Sequence, residues 1–187
     1  MEEELNLVVE DTEDQMKEAL VHLENELLKV RAGKASPHLL DGIKVDYYGT
    51  ETPLNQVSNI SITDAKTVTI QAWEKSMIDP IEKAIMQANI GITPVNNGEL
   101  IRLNIPPLTE ERRRDLVKQI KKLGEDTKIS IRNTRRDANE ELKRMKKDGL
   151  SEDLEKDGEA EVQKLTDDYI TKVDKHIQTK ENEVMTV

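Results

Sequence analysis

The stretch that begins at Pro106-Pro107-Leu108-Thr109-Glu110-Glu111 dictates one long helix. The prolines forbid helix before them. Thr109 can accept from a free first-turn N–H, and the two glutamates sit at the positive end of the helix dipole. Leu116, Ile120, Leu123, Thr127, Ile131, Thr134, Ala138, Leu142 and Met145 then recur at near-heptad spacing, and no proline intervenes up to Lys147. The pattern predicts roughly 39 residues of helix, about 58 Å long. Gly124 is expected to weaken this helix by about 1 kcal/mol, a loss that a packed seam tolerates.

Two further segments can cover that seam. Asp148-Gly149-Leu150 breaks the pattern, and Ser151 can cap a helix of nearly equal length, with Glu152 and Asp153 in its first turn. Its buried side is marked by Leu154, Val162, Leu165, Tyr169, Val173, Ile177 and Val184, with Gly158 as a weak point. The short break makes the two helices an antiparallel hairpin. Near the N-terminus, Thr12 and Gln15 form a capping box, followed by Met16, Leu20, Leu23, Leu27 and Val30 at heptad steps. A first helix from about Thr12 to about Val30 is expected. It is too acidic and too short to stand alone, and a three-helix bundle buries all three seams.

Between residues 31 and 105 the apolar period changes from 3.6 to 2. Alternation appears at Ile43–Tyr47, Ile60–Ile62, Thr67–Trp73 and Leu100–Ile105, with a turn at Tyr48-Gly49-Thr50. Ser76 can cap a short helix carrying Pro80 in its first turn and Ile81, Ala84, Ile85 and Ala88 as its apolar stripe; Gly91 and Pro94 end it. The expected fold class is therefore α+β: an elongated antiparallel three-helix bundle, residues 1–31 and 106–187, with a small α/β domain, residues 32–105, inserted into it. The chain crosses between the two near residues 31–37 and 104–107. Two crossings side by side act as a hinge pair built from Arg31, Ala32, Gly33, Asn104, Ile105, Pro106 and Pro107. Gly33 gives one crossing backbone freedom, and the proline pair stiffens the other.

Composition excludes several classes. With no cysteine, there are no disulfide staples, thiolate zinc sites or cysteine nucleophiles. No run approaches the ~20 apolar residues of a membrane span. The N-terminus is acidic where a secretory signal is basic, so a cytoplasmic soluble protein is expected. Tyr47, Tyr48, Trp73 and Tyr169 are the only aromatics, which suits long helices with narrow aliphatic seams. His22, His38 and His176 lie in separate segments, and no phosphate loop, dinucleotide fingerprint or nucleophile elbow is present. Asp167-Asp168 reads as a solvated face. No catalytic residue, cofactor or metal is expected.

The net charge of -10 conceals one basic segment. Residues 112–147 carry 14 basic and 6 acidic side chains, a net of +8, between acidic flanks. On the helical wheel, Lys128, Arg132, Arg135, Asn139 and Lys143 form one row, with Arg136 beside it and Arg113, Lys118 and Lys121 toward the helix start. Arg132, Arg135 and Arg136 lie within about 6 Å of axial rise. So close a set repels itself unless an anion lies between, and arginine forks onto phosphate as lysine cannot. No aromatics interleave, so the stripe fits shape and phosphate contacts to folded RNA or DNA better than base stacking. The other reading is a helical protein–protein adaptor whose basic residues form salt bridges to acidic helices.

The sequence resembles the ribosome recycling factor family over nearly its whole length. The likeness is carried by Arg31-Ala32-Gly33-Lys34-Ala35-Ser36-Pro37 with Leu39-Leu40-Asp41-Gly42-Ile43, and by Tyr47-Tyr48-Gly49-Thr50 with Thr52-Pro53-Leu54. It is carried further by Pro106-Pro107-Leu108-Thr109-Glu110-Glu111-Arg112-Arg113, Arg132-Asn133-Thr134-Arg135-Arg136-Asp137-Ala138-Asn139 and Val162-Gln163-Lys164-Leu165-Thr166-Asp167. The resemblance implies an L-shaped monomer that binds the post-termination ribosome, mainly large-subunit ribosomal RNA, and neither DNA nor membrane. It implies that, with elongation factor G and GTP, the chain separates the subunits and releases ribosomes from mRNA without catalysing a covalent step. RNA-binding residues are expected at Arg113, Lys128, Arg132, Arg135, Arg136 and Lys143. The sequence departs from the family in its acidic residues 1–10, and its first helix has only Lys17 and Lys29 as basic residues.

Overall fold

The long helix expected after the proline pair is α3, Glu110–Lys147, in a computed structural model that describes residues 2–186. The Thr109 hydroxyl accepts from the Arg112 N–H at 3.2 Å, so the cap read from sequence forms. At the other end, Leu150 N–H donates to the Met145 carbonyl at 2.9 Å and its side chain is buried, turning the chain into α4, Glu152–Met185. Ser151 caps α4 by accepting from Leu154 N–H at 3.3 Å.

The first helix departs from expectation. α1 runs Glu2–Lys29, and Thr12 lies inside it. Its hydroxyl donates to the Val8 carbonyl at 2.7 Å, and Gln15 bonds Asp11 at 2.8 Å instead of closing a capping box. The seam begins a full turn and more before Thr12. Leu5 is buried with Thr12, Met16, Leu20, Leu23 and Leu27, and Val8 and Val9 pack against the same cluster as Leu5. Glu2, Glu3 and Glu4 occupy the first turn, where the helix dipole favours them. The acidic N-terminus is thus a helix start.

Contacts between the three long helices fix their directions. Along α1 and α4, Tyr169 donates to Glu13 at 3.4 Å and His176 meets Glu24 at 3.1 Å, so these two helices run parallel. Along α3 and α4, Lys146 meets Glu155 and Lys128 meets Asp174, both at 2.5 Å, so α3 runs opposite to both. Each of these ion pairs keeps at least one partner in water, which screens the attraction. The seam does more: Met16, Leu23, Ile120, Ile131, Leu142, Val162 and Val173 are almost or wholly removed from water, each worth roughly 1.5–3 kcal/mol on burial. Buried Thr127 and Thr166 satisfy their hydroxyls on carbonyls one turn back.

Gly124 and Gly158 each leave room for a side chain of a neighbouring helix, and neither is a weak point. A Cβ on Gly124 would sit 2.6 Å from Ile177 Cγ1; one on Gly158 would sit 2.7 Å from Leu5 Cδ1 and 3.2 Å from Leu142. Packing overrides propensity at both.

The chain forms two compact units, Met1–Val30 with Arg113–Val187, and Arg31–Arg112. The second unit begins with a 3₁₀ turn at Pro37–Leu40 and an antiparallel hairpin of β1, Lys44–Tyr47, and β2, Thr50–Pro53. Tyr48 and Gly49 make its two-residue turn, both at positive φ, with Asp46 accepting from Gly49 N–H at 2.8 Å. A four-stranded antiparallel sheet follows in the order β3, β4, β6, β5. Its strands are Ser58–Asp64, Thr67–Ala72, Ile101–Asn104 and Pro94–Asn96 respectively. α2, Ile78–Gln87, buries Ile78, Ile81 and Ile85 in one cluster with Val68, Ile70, Ile101 and Leu103. Ser76 does not cap α2: it lies in a preceding 3₁₀ turn, Lys75–Met77, and Met77 stands at the cap position without a side-chain bond. β2, Thr-Glu-Thr-Pro, has no large apolar residue to alternate, and β5 is only three residues long.

Gly124→Ala should lower stability by about 1–2 kcal/mol although alanine is the better helix former. Urea denaturation measures it. Ile177→Ala in the same chain should remove most of the penalty, whereas a stabilised single variant would show that α3 and α4 do not approach there.

Candidate nucleic-acid interface

The α3 seam determines where its cations can go. Ile131, Ala138 and Leu142 face the bundle, so Arg132, Arg136 and Lys143 are exposed and Arg135 is half-buried at the seam edge. Arg132 leans back along its own helix to Glu125 at 3.3 Å, and Arg135 reaches across to Gln163 of α4 at 3.4 Å. Both bonds are long, and the one between helices is to a neutral amide. Arg136 and Lys143 have no ion-pair partner among the described residues. Four cations therefore stand on one stretch of α3 with little internal neutralisation.

The two remaining cations of the expected set are placed differently. Lys128 is mostly covered and paired with Asp174. Arg113 is half-buried and donates from one guanidinium nitrogen to the carbonyls of Val184, at 2.9 Å, and Thr186, at 3.2 Å. Carbonyls at a helix C-terminus lack intrahelical partners and carry the negative end of the dipole, so Arg113 completes the end of α4. Nothing in its sequence spacing indicated this bond, which spans 71 residues. At the opposite end of α4, Lys146 is held above its ordinary pKa, first by its hydrogen bond to Glu155.

Asn139, in the same row as Arg135, has its amide oxygen buried and without a hydrogen-bond partner among the described residues. The described residues contain no group of three or more histidines or carboxylates able to hold a metal ion. No helix is long and apolar enough to cross a membrane.

The residues expected as a hinge are anchored within the second unit. Ala35 N–H donates to the Ala65 carbonyl and Ile105 N–H to the Lys66 carbonyl, each at 2.8 Å, so both crossings hold the same β3–β4 turn. Ala32 and Ile105 are buried, Arg31 donates to the Ile90 carbonyl, and Asn104 meets Thr67 at 3.5 Å. Gly33 has φ of +71°, and a Cβ there would come within 2.8 Å of Leu108 Cγ. Its glycine is needed for that fixed conformation and close approach. Pro106 and Pro107 are exposed and offer no N–H to any ladder.

A helical bundle with a basic face on one long helix, carrying an inserted antiparallel sheet unit, is the class of protein that fold and site define. The ribosome recycling factor family model matches residues 23–185. A ribosome-recycling factor of Flavobacterium johnsoniae is 55% identical over 187 residues, covering all of both chains. That of Porphyromonas gingivalis is 58% identical over 173 residues, 92% of this chain and 93% of its own. Among solved structures, the solution structure of a ribosome recycling factor aligns with a TM-score of 0.81 at 38% identity, covering 98% of each chain. A T. thermophilus ribosome recycling factor, placed with E. coli elongation factor G on the E. coli post-termination complex, aligns at 0.65 and 42% identity, covering 97% of this chain and 99% of its own. The chain belongs to the ribosome recycling factor family.

Arg113→Ala should loosen the last turn of α4 while leaving the exposed arginine face intact. Hydrogen exchange at Thr186 and its neighbours should speed up, with global stability falling by about 1–2 kcal/mol. Unchanged exchange would show that the guanidinium does not hold those carbonyls.

Proposed function

We propose that this chain acts as a ribosome recycling factor in the cytoplasm: it binds the post-termination ribosome and, with elongation factor G and GTP, separates the subunits. The observation that carries the reading is the face of Arg132, Arg135, Arg136 and Lys143, held outward beside a rigid aliphatic seam. Guanidinium pairs held on one helix match phosphate oxygens of folded RNA, and large-subunit ribosomal RNA is the proposed surface. The relative placed with elongation factor G on a post-termination complex supports the same partners. Lys128 and Arg113 belong to this face by sequence, but their internal bonds give them a smaller share of it.

The mechanism is mechanical, and the chain makes and breaks no covalent bond. Phosphate contacts hold the bundle. GTP hydrolysed by the partner drives the inserted unit, and its displacement breaks contacts between subunits. With Arg31, Ala32, Gly33, Asn104 and Ile105 tied into the second unit and Leu108 packed on Gly33, the proposed pivot lies at the edges of that unit, next to Val30 and after Leu108.

The test is light scattering of model post-termination complexes with elongation factor G and GTP. Splitting should require all three components. Arg135→Ala should weaken large-subunit binding by about 1–3 kcal/mol and slow splitting while leaving helicity and melting nearly unchanged. Normal binding by a folded Arg132→Ala, Arg135→Ala double variant would remove the arginine face from the mechanism.

Movement of the second unit is tested separately. Spin labels on cysteines at Lys66 and Lys156 should give a broad distance distribution in free solution. A single narrow distance would contradict a pivot.

A further inference from the structure

Three of the chain's four aromatics gather in the second unit, around one carboxylate that α3 and its cations do not involve. Tyr47 and Tyr48 meet edge to face with ring centres 4.7 Å apart. Their hydroxyls both donate to Glu74, Tyr47 to Oε1 at 2.9 Å and Tyr48 to Oε2 at 3.0 Å. The phenol of Tyr47 is held above its ordinary pKa, first by that bond, so it stays a donor. Tyr47, Trp73 and Glu74 line a cleft of about 320 Å³ together with buried Val57 and Met77. Trp73 is 60% exposed and Tyr48 79% exposed, so both offer large apolar surfaces to solvent.

This is a built arrangement. Tyr48 sits at φ of +50°, a conformation that an aromatic residue adopts only at a cost of roughly 1–2 kcal/mol. Its hydroxyl bond to Glu74 is what the turn gains in return. Each carboxylate oxygen accepts one phenol and keeps a second lone pair, so Glu74 is fixed in place and still able to accept from outside. Aromatic faces beside a fixed carboxylate are the surroundings that a guanidinium favours: stacking on the rings and a forked bond to the carboxylate.

We propose that the cleft between Tyr47 and Trp73 takes an arginine side chain from a basic protein segment, held by ring stacking and by Glu74. Charge argues for a protein cation over a nucleic-acid base. No basic residue lines the cleft to meet phosphate. The inference is independent of the α3 face, and it gives the second unit a partner of its own.

Trp73 is the chain's single tryptophan, so its emission reports this cleft alone. The full chain would be titrated with a short blocked glycine–arginine peptide, with its citrulline counterpart, and with a single-stranded oligouridylate. The arginine peptide should change Trp73 emission saturably. The neutral citrulline peptide should bind roughly fivefold or more weakly, and Glu74→Gln, which keeps an acceptor for a phenol, should lose a similar factor for arginine. Equal responses to arginine and citrulline would overturn the proposal without reference to any variant. So would saturation by the oligouridylate with the peptide silent, which would make the cleft a base-stacking site. Because ribosome binding through α3 is read by other means, a silent cleft leaves that reading untouched.

Discussion

Apolar side chains packed against two glycines set the rotation of α3 in the bundle, and everything proposed for the chain depends on that packing. Gly124 admits Ile177, and Gly158 admits Leu5 and Leu142. α3 cannot rotate about its own axis without burying charge or exposing Ile131 and Leu142. Rotation of α3 is fixed by burial, and the direction in which Arg132, Arg136 and Lys143 point follows from it. Ion pairs between the helices each keep one partner in water, so solvent weakens them. The basic face is thus preorganised by apolar packing on the opposite side of the same helix.

Acidic flanks complete this arrangement. Residues 1–30 carry a net charge of -8 and residues 148–187 a net of -7. They neutralise part of the bundle's field and leave the α3 face as its outward positive region. Arg113 shows that basic character alone does not define the face. It lies near the helix start and is spent on carbonyls at the end of α4.

The long helices were legible in the sequence because heptad spacing, proline, Thr109 and Ser151 all agreed on their limits. The start of α1 was not. Thr12 with Gln15 imitates a cap, and only the tertiary contact of Leu5 with Gly158 shows that the seam continues past it. The role of the two bundle glycines is hidden for the same reason: propensity is local, and the side chains they admit come from distant residues. In the second unit, β1, β3, β4 and β6 announced themselves by alternation, whereas β2 and β5 are held by their neighbours. Ser76 looked like a cap, but a 3₁₀ turn intervenes before α2. Of the candidate site, the row of cations was visible as a helical wheel. The internal bonds of Lys128 and Arg113 were not, since each joins residues far apart in sequence. The aromatic cleft was equally hidden, because Tyr47 and Glu74 are 27 positions apart.

The central claim is that a preorganised face of four cations on α3 binds ribosomal RNA by its phosphates. Its most direct test is the salt dependence of large-subunit binding, measured by pelleting across a range of potassium chloride concentrations. Release of counterions from about four phosphate contacts should make log K fall linearly with log salt, with a slope of roughly -3 to -4, reduced by about one when Arg136 is replaced by alanine. Binding that is flat across the salt range, or a slope indifferent to Arg136, would contradict it.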